Sequence, residues 1–171
     1  MEFRRARAED FSDILRLQAA NLIGNLNPQD RQEGFLSAEF TRQQLAEMAS
    51  EIALLVASEK AQLFGYLCTY SCNYSKQFPI LAAMIQSFGR ALYQGKPLSS
   101  YNSFIYGPVC IDKSYRGRGL LRGLYEMLLR EVAGKYEVGI AFVSKDNPHS
   151  LAAHVKGLGM CIAGEFEFNG R

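Results

Sequence analysis

Tyr115-Arg116-Gly117-Arg118-Gly119-Leu120-Leu121-Arg122 is the stretch on which the reading of this chain turns. Before it lies an apolar run of strand length, residues 103–112, interrupted at Gly107-Pro108. After it comes the clearest helical pattern in the chain, residues 117–133. There Leu120, Leu121, Leu124, Leu128, Leu129 and Val132 form one apolar stripe, and Gly134 closes it. The first N–H groups of a helix have no partner inside it. Glycines let backbone approach a ligand closely, and the helix dipole favours an anion at this end. Arg116, Arg118 and Arg122 add positive charge. The arrangement is a recipe for binding a phosphate or pyrophosphate. It is not a Walker A loop, because no Gly-Lys-Ser/Thr follows. It also fits the dinucleotide fingerprint poorly. Gly117-x-Gly119-x-x-Arg122 lacks the third glycine, and the charged run Asp112 to Arg116 separates strand from glycines.

Outward from this loop the pattern alternates. Residues 138–144 read as a buried strand, Asn147-Pro148 opens another helix, and residues 160–170 read as a final strand. A Gly-Pro inside the 103–112 strand predicts a bulge or a splay, since Pro108 cannot donate to a ladder. In the first half, residues 2–7 suggest a short strand, with a helix from Ala8-Glu9-Asp10 through Ile23 and a polar loop over 25–37 carrying one short helical turn. Thr41 with Gln44 forms a capping box for a helix ending near Glu51. Residues 52–57 and 61–72 pair as a hairpin, and 76–98 read as one helix inserted between strands. Strand, helix, strand, helix, strand argues an α/β or α+β fold around one sheet.

Composition narrows the classes. The chain has 171 residues, 48% of them hydrophobic and 21% charged, so it buries a real core in one domain, 1–171. A net charge of +2 is too small to make nucleic acid or an anionic membrane the expected partner. Cys68, Cys72, Cys110 and Cys161 form no CxxC pair, and His149 and His154 are the only histidines. A structural metal site is therefore not expected, and the cysteines read as reduced, mostly buried thiols. No run reaches the ~18 apolar residues of a membrane span. The N-terminus is charged where a signal peptide is apolar, so the expected location is cytoplasmic.

The loop and the Asn-Pro helix together carry a family resemblance. The chain resembles the GNAT superfamily of N-acetyltransferases, whose signature is (Q/R)-x-x-G-x-(G/A). Arg116, Gly119 and Leu121 fall on its three defined positions, and Leu121 departs from it. Residues 147–154, Asn-Pro-His-Ser-Leu-Ala-Ala-His, resemble the family's later helix, and Leu158-Gly159-Met160 its Leu-Gly-Phe ending. The close likeness spans residues 103–168; the first hundred residues match only in coarse order. The resemblance implies a mostly antiparallel mixed sheet flanked by helices, with a splayed strand pair at the cofactor site. It implies acetyl-CoA, with Val109, Cys110 and Ile111 holding the pantetheine arm and the acetyl carbonyl. Gly117, Arg118, Gly119, Leu120, Leu121 and Arg122 would wrap the pyrophosphate with Arg116, and Asn147 would bond the cofactor's arm. Counting forward from Asn147 puts His154 at the position of the family's tyrosine general acid; counting back from Leu158-Gly159 puts Val155 there.

The implied activity is transfer of acetyl to a primary amine of a small molecule or a protein. Asp112 at the strand end, and Glu165 and Glu167 on one face of the last strand, are the candidates for a base, and each also reads as an ordinary surface charge. Leu121, the missing tyrosine and the lack of a clear base favour a different class as alternative, a non-catalytic acyl-CoA-binding or sensing module. A dinucleotide-binding protein is the third reading. An exposed sheet edge near residue 170 makes a homodimer contact a further expectation.

Overall fold

The computed structural model describes residues 1–60 and 62–170. Ala61, expected to begin the second hairpin strand, and Arg171 lie outside the described residues. Strand β1 (Glu2–Arg5) leads through a 3-10 turn into α1 (Phe11–Asn21), and a short α2 (Pro28–Arg31) lies in the polar loop. Helix α3 (Arg42–Glu51) precedes the hairpin of β2 (Ala53–Glu59) and β3 (Gln62–Ser71). Then come α4 (Cys72–Ser75), α5 (Pro79–Gln86), β4 (Leu92–Tyr93) and β5 (Lys96–Pro97). Strand β6 (Ser103–Ile111), α6 (Leu120–Val132), β7 (Val138–Ile140) and α7 (Pro148–Ala152) complete the order, with a π turn over Ala153–Gly157.

The main sheet runs β1-β2-β3-β6-β7. Its first four strands pair antiparallel, and β7 joins β6 in parallel. Strand alternation sorts the core into two layers. Leu54, Val56, Tyr66, Cys68 and Ile105 face Ile14, Leu17, Leu45 and Met48 of α1 and α3. Ala53, Leu55, Phe64 and Leu67 face Leu120, Leu124, Leu128 and Val132 of α6. The second set includes most of the stripe predicted for α6, though Leu129 is half exposed. Gly123 lets α6 press on β1, because a Cβ there would lie 2.1 Å from the Phe3 ring. Near β1, Arg4 holds Asp10 with two bonds of 2.7 and 2.9 Å, which pushes the Asp10 carboxyl below its usual range and fixes the entry to α1. Thr41 and Gln44 form the expected capping box.

Two strand expectations change. At β6 the register slips: Leu67 pairs with Val109 but Thr69 pairs with Tyr106, the bulge predicted at Gly107-Pro108. Strand β7 pairs with β6 only over Ser103–Ile105, so the expected strand 138–144 ends at Ile140. Beyond that point β6 has bent away and residues 141–144 find no ladder. Residues 160–168 do not form the expected last strand either. They run alongside as irregular chain, with Phe166 edge-on to Phe142 and a backbone bond from Leu92 N–H to the Ala163 carbonyl.

The segment 76–98 is not one helix. Helix α5 stops at Gln86, where the Ser87 hydroxyl turns back onto the Met84 carbonyl at 2.6 Å. Gln94 and Gly95, both with positive φ, then form the two-residue turn of a small hairpin, β4 with β5. Among the described residues, no helix is long and apolar enough to cross a membrane.

Candidate functional site

Parting of β6 from β7 opens a cleft of about 340 Å³ between the two strand ends. Val109, Cys110 and Ile111 of β6 form one wall. Asp112 N–H bonds the Phe64 carbonyl, so by antiparallel alternation Cys110 faces β3 and the N–H groups of Val109 and Ile111 face the side that β7 has left. The Ile111 carbonyl, on that same side, accepts from Arg116 Nε at 3.2 Å. Cys110 is buried, and burial pushes its thiol up to about 12, which keeps it protonated and unreactive.

Gly117, Gly119, Leu120, Leu121 and Arg122 form the next wall. Gly117 and Gly119 take φ of +73° and +81°, which only glycine adopts without strain, and open space surrounds both. No side chain caps α6, and among the described residues nothing accepts from the amides of Gly117 through Arg122. The first turn of a 13-residue helix therefore points unpaired donors at the cleft. Arg122 lines it and bonds the Gly157 carbonyl at 2.6 Å. Arg118 does not line it: its guanidinium lies 4.8 Å over the Tyr115 ring, which in turn stacks on Phe64.

Two expected ligands of the cofactor have their side chains engaged elsewhere. Arg116 gives Nη1 to the Glu33 carbonyl at 2.7 Å and Nη2 to Asn21 Oδ1 at 2.9 Å. Asn147 is buried, accepts from Ser150 N–H at 3.3 Å and donates to the Phe35 carbonyl at 3.0 Å. Both residues line the cleft, yet their polar atoms hold protein. Sequence reasoning missed the third wall, Glu33 to Leu36 with Asn21. Nothing in that polar loop carries a motif, and its partners Arg116 and Asn147 lie 83 and 112 residues away in sequence.

His154 lines the cleft and is 6% exposed. Its Nδ1 lies 2.7 Å from the Ser150 carbonyl, which can only accept, so Nδ1 carries the proton. Burial pushes the imidazole below its ordinary value, although the Ser150 carbonyl pulls the other way. The neutral ring thus leaves Nε2 with a lone pair and no partner among the described residues. At rest this is the arrangement of a proton acceptor; to serve as the general acid expected, the ring would first take up a proton at Nε2. Val155 is not in the wall. Glu165 is exposed and pairs with Lys145, Glu167 is exposed, and Asp112 accepts from Ser114 N–H at 2.9 Å; none lines the cleft.

No protein-family model and no curated protein sequence matches the chain. Solved structures do match. A ribosomal-protein-alanine N-acetyltransferase from Brucella melitensis aligns with TM-score 0.62 and 22% identity over 100% of this chain and 93% of its own. The aminoglycoside 6'-N-acetyltransferase AAC(6')-IG from Acinetobacter haemolyticus aligns with TM-score 0.64 and 14% identity over 100% and 98%. The fold is that of the GNAT N-acetyltransferases. The protein smu.2055 from Streptococcus mutans UA159 aligns similarly, with TM-score 0.66 and 18% identity over 100% and 92%. The shared N-acetyltransferase fold includes the mostly antiparallel sheet and the splayed strand pair that opens the cleft.

Proposed function

We propose that the cleft binds acetyl-CoA and that the protein transfers the acetyl group to a primary amine. The observation that carries the reading is the set of unpaired amides at Gly117, Gly119, Leu120, Leu121 and Arg122, residues that line the cleft on positive-φ glycines at a helix N-terminus. Such donors suit a pyrophosphate, with Arg122 beside them. The apolar walls at Val109, Ile111 and Leu121 suit the pantetheine arm. Leu121 fills a position where the family signature has a small residue, but its N–H stays free. Arg116 and Asn147 serve as framework, not as ligands through their side chains.

When bound, acetyl-CoA supplies a thioester whose carbonyl carbon an amine can attack. The chain's part is to hold, polarise and move protons. The N–H of Val109 or Ile111 stabilises negative charge that develops on the carbonyl oxygen. His154 Nε2 takes the proton that the attacking nitrogen must lose and returns it to the departing sulfur. The C–N bond forms, the C–S bond breaks, and the amine's proton ends on the thiol. The acceptor is a small-molecule or protein amine; no feature of the walls selects between them.

Melting of the pure protein with CoA, acetyl-CoA or NADP tests binding. A ligand specific to the folded state stabilises by about 2.7 kcal/mol at 100 times its Kd. Upward shifts with both CoA species and none with NADP are expected, and release of free CoA thiol in a panel of amines is expected for at least one. Binding without turnover on any amine would favour the acyl-CoA-sensing module. A shift with NADP alone would overturn the reading.

A further inference from the structure

The third wall of the cleft crosses from one strand end to the other. Arg116 follows β6, Asn147 follows β7, and these strands have parted. The segment Glu33–Leu36 is tied to both. Arg116 holds the Glu33 carbonyl and Asn147 holds the Phe35 carbonyl, at 2.7 and 3.0 Å. At its far end the Leu36 N–H bonds the Asn21 carbonyl at 2.8 Å, and the Ile23 N–H bonds the Leu36 carbonyl at 2.9 Å. Arg116 also takes the Asn21 side chain, so one guanidinium joins α1, the segment and β6. Gly34, with φ of +102°, sits between the two ties, and a Cβ there would touch Asn147 and His149 at 3.6 and 3.7 Å. Behind Arg116 lies a second cavity of about 190 Å³, bounded also by Asn21 and Gly34, so the segment is a thin partition at Gly34, anchored in the core at Leu36.

We propose that Glu33–Leu36 is a strap that fixes the distance between the two lips of the cleft, with Arg116 and Asn147 as its positioning residues. The strap itself stands on these bonds alone; that the fixed width serves an acyl-CoA arm rests on the function proposed above. Arg116 then acts on the ligand through the strap and not as a phosphate contact. Lysine keeps the charge but lacks the planar fork that reaches Glu33, Asn21 and Ile111 together, so Arg116→Lys separates the two roles. Two independent ligand contacts would give additive losses, whereas two ties of one strap are coupled.

Amide hydrogen exchange on the free protein tests the strap without any ligand. In Arg116→Lys and in Asn147→Ala, the amides of Leu36 and Ile23 should exchange about tenfold faster or more, the factor that ~1.4 kcal/mol of lost local stability produces. Amides of β2 and β3 should keep their protection. Gly34→Ala should loosen the same two amides while leaving both tie side chains in the sequence, and it stands in if Arg116→Lys does not fold. For CoA, both single variants should weaken Kd, and the double variant should be scarcely weaker than either. In turnover, KM for acetyl-CoA should rise by more than kcat falls. Unchanged exchange at Leu36 and Ile23 in these variants overturns the strap, as do additive losses in Kd. If the wild type binds no CoA species, the function falls and the exchange result still decides the strap.

Discussion

The two lips of the cleft meet a ligand in different ways. On the α6 lip, Gly117 to Arg122 present backbone N–H groups that nothing in the described chain occupies. On the opposite lip, side-chain polar atoms hold the chain itself: Asn147 bonds Phe35 and Ser150, and His154 Nδ1 bonds Ser150, with His154 Nε2 unpaired among the described residues. Arg116 stands at the base of the first lip but belongs with the second in behaviour. In the proposed function, binding is the work of main chain, placed by two positive-φ glycines, while side chains set the frame. The family resemblance points to Arg116 and Asn147 and is silent on the bonds by which their side chains hold the chain itself.

The sharpest way to break the contrast is at the backbone lip. Gly119→Glu forces a left-handed φ on a side chain and adds a carboxylate among the anion donors. It should cost about 2–3 kcal/mol of CoA binding, roughly a hundredfold in Kd by calorimetry, with little clash because the site around Gly119 is open. On the framework lip the larger effect should be on stability. Asn147→Ala strips the α7 N-cap and leaves the Phe35 carbonyl without its donor, at about 1–3 kcal/mol in urea unfolding.

His154 gives a test by pH. Its proton affinity is lowered in the folded state, so as pH falls below its ordinary value of 6.5 the unfolded chain binds the proton first. Unfolding stability should therefore decline from pH 7 toward pH 5, and His154→Gln should remove that part of the slope. Asp10 acts lower down: Arg4 depresses its pKa from 3.8, so its contribution is present above that value and lost as pH falls through the depressed one. The smallest effect belongs to Arg118, exposed and stacked on Tyr115. Arg118→Ala should change Kd by less than about 1 kcal/mol, and the change should shrink at high salt. A large effect there would mean that side-chain charge, not backbone, dominates the first lip.

Much of the C-terminal half was legible because its signals are local. Gly117 and Gly119 before the α6 stripe, the Gly107-Pro108 interruption and the Asn147 cap each act within a few residues, and each lies where its pattern implied. The capping box at Thr41 was legible for the same reason. Errors came where the outcome depended on a distant partner. Residues 141–144 and 160–168 have strand-like patterns, but a strand needs a ladder, and the bend in β6 removes it. In the segment 76–98, helical spacing hid the Gln94-Gly95 turn, a hairpin signal with an uncommon first residue. The bonds of Arg116 and Asn147 to Glu33 and Phe35 were not legible, because these partners lie 83 and 112 residues away. Sequence also shows neither the burial of His154 nor the carbonyl that fixes its proton on Nδ1.

In the proposed function, unpaired amides of the α6 lip hold the ligand's phosphates. Amide chemical shifts of the wild-type protein titrated with CoA test it most directly. The account predicts large downfield proton shifts confined to Gly117 through Arg122, with smaller changes at Val109 and Ile111 and a matching saturation curve. Saturable binding that leaves the Gly117 to Arg122 amides unmoved would contradict it.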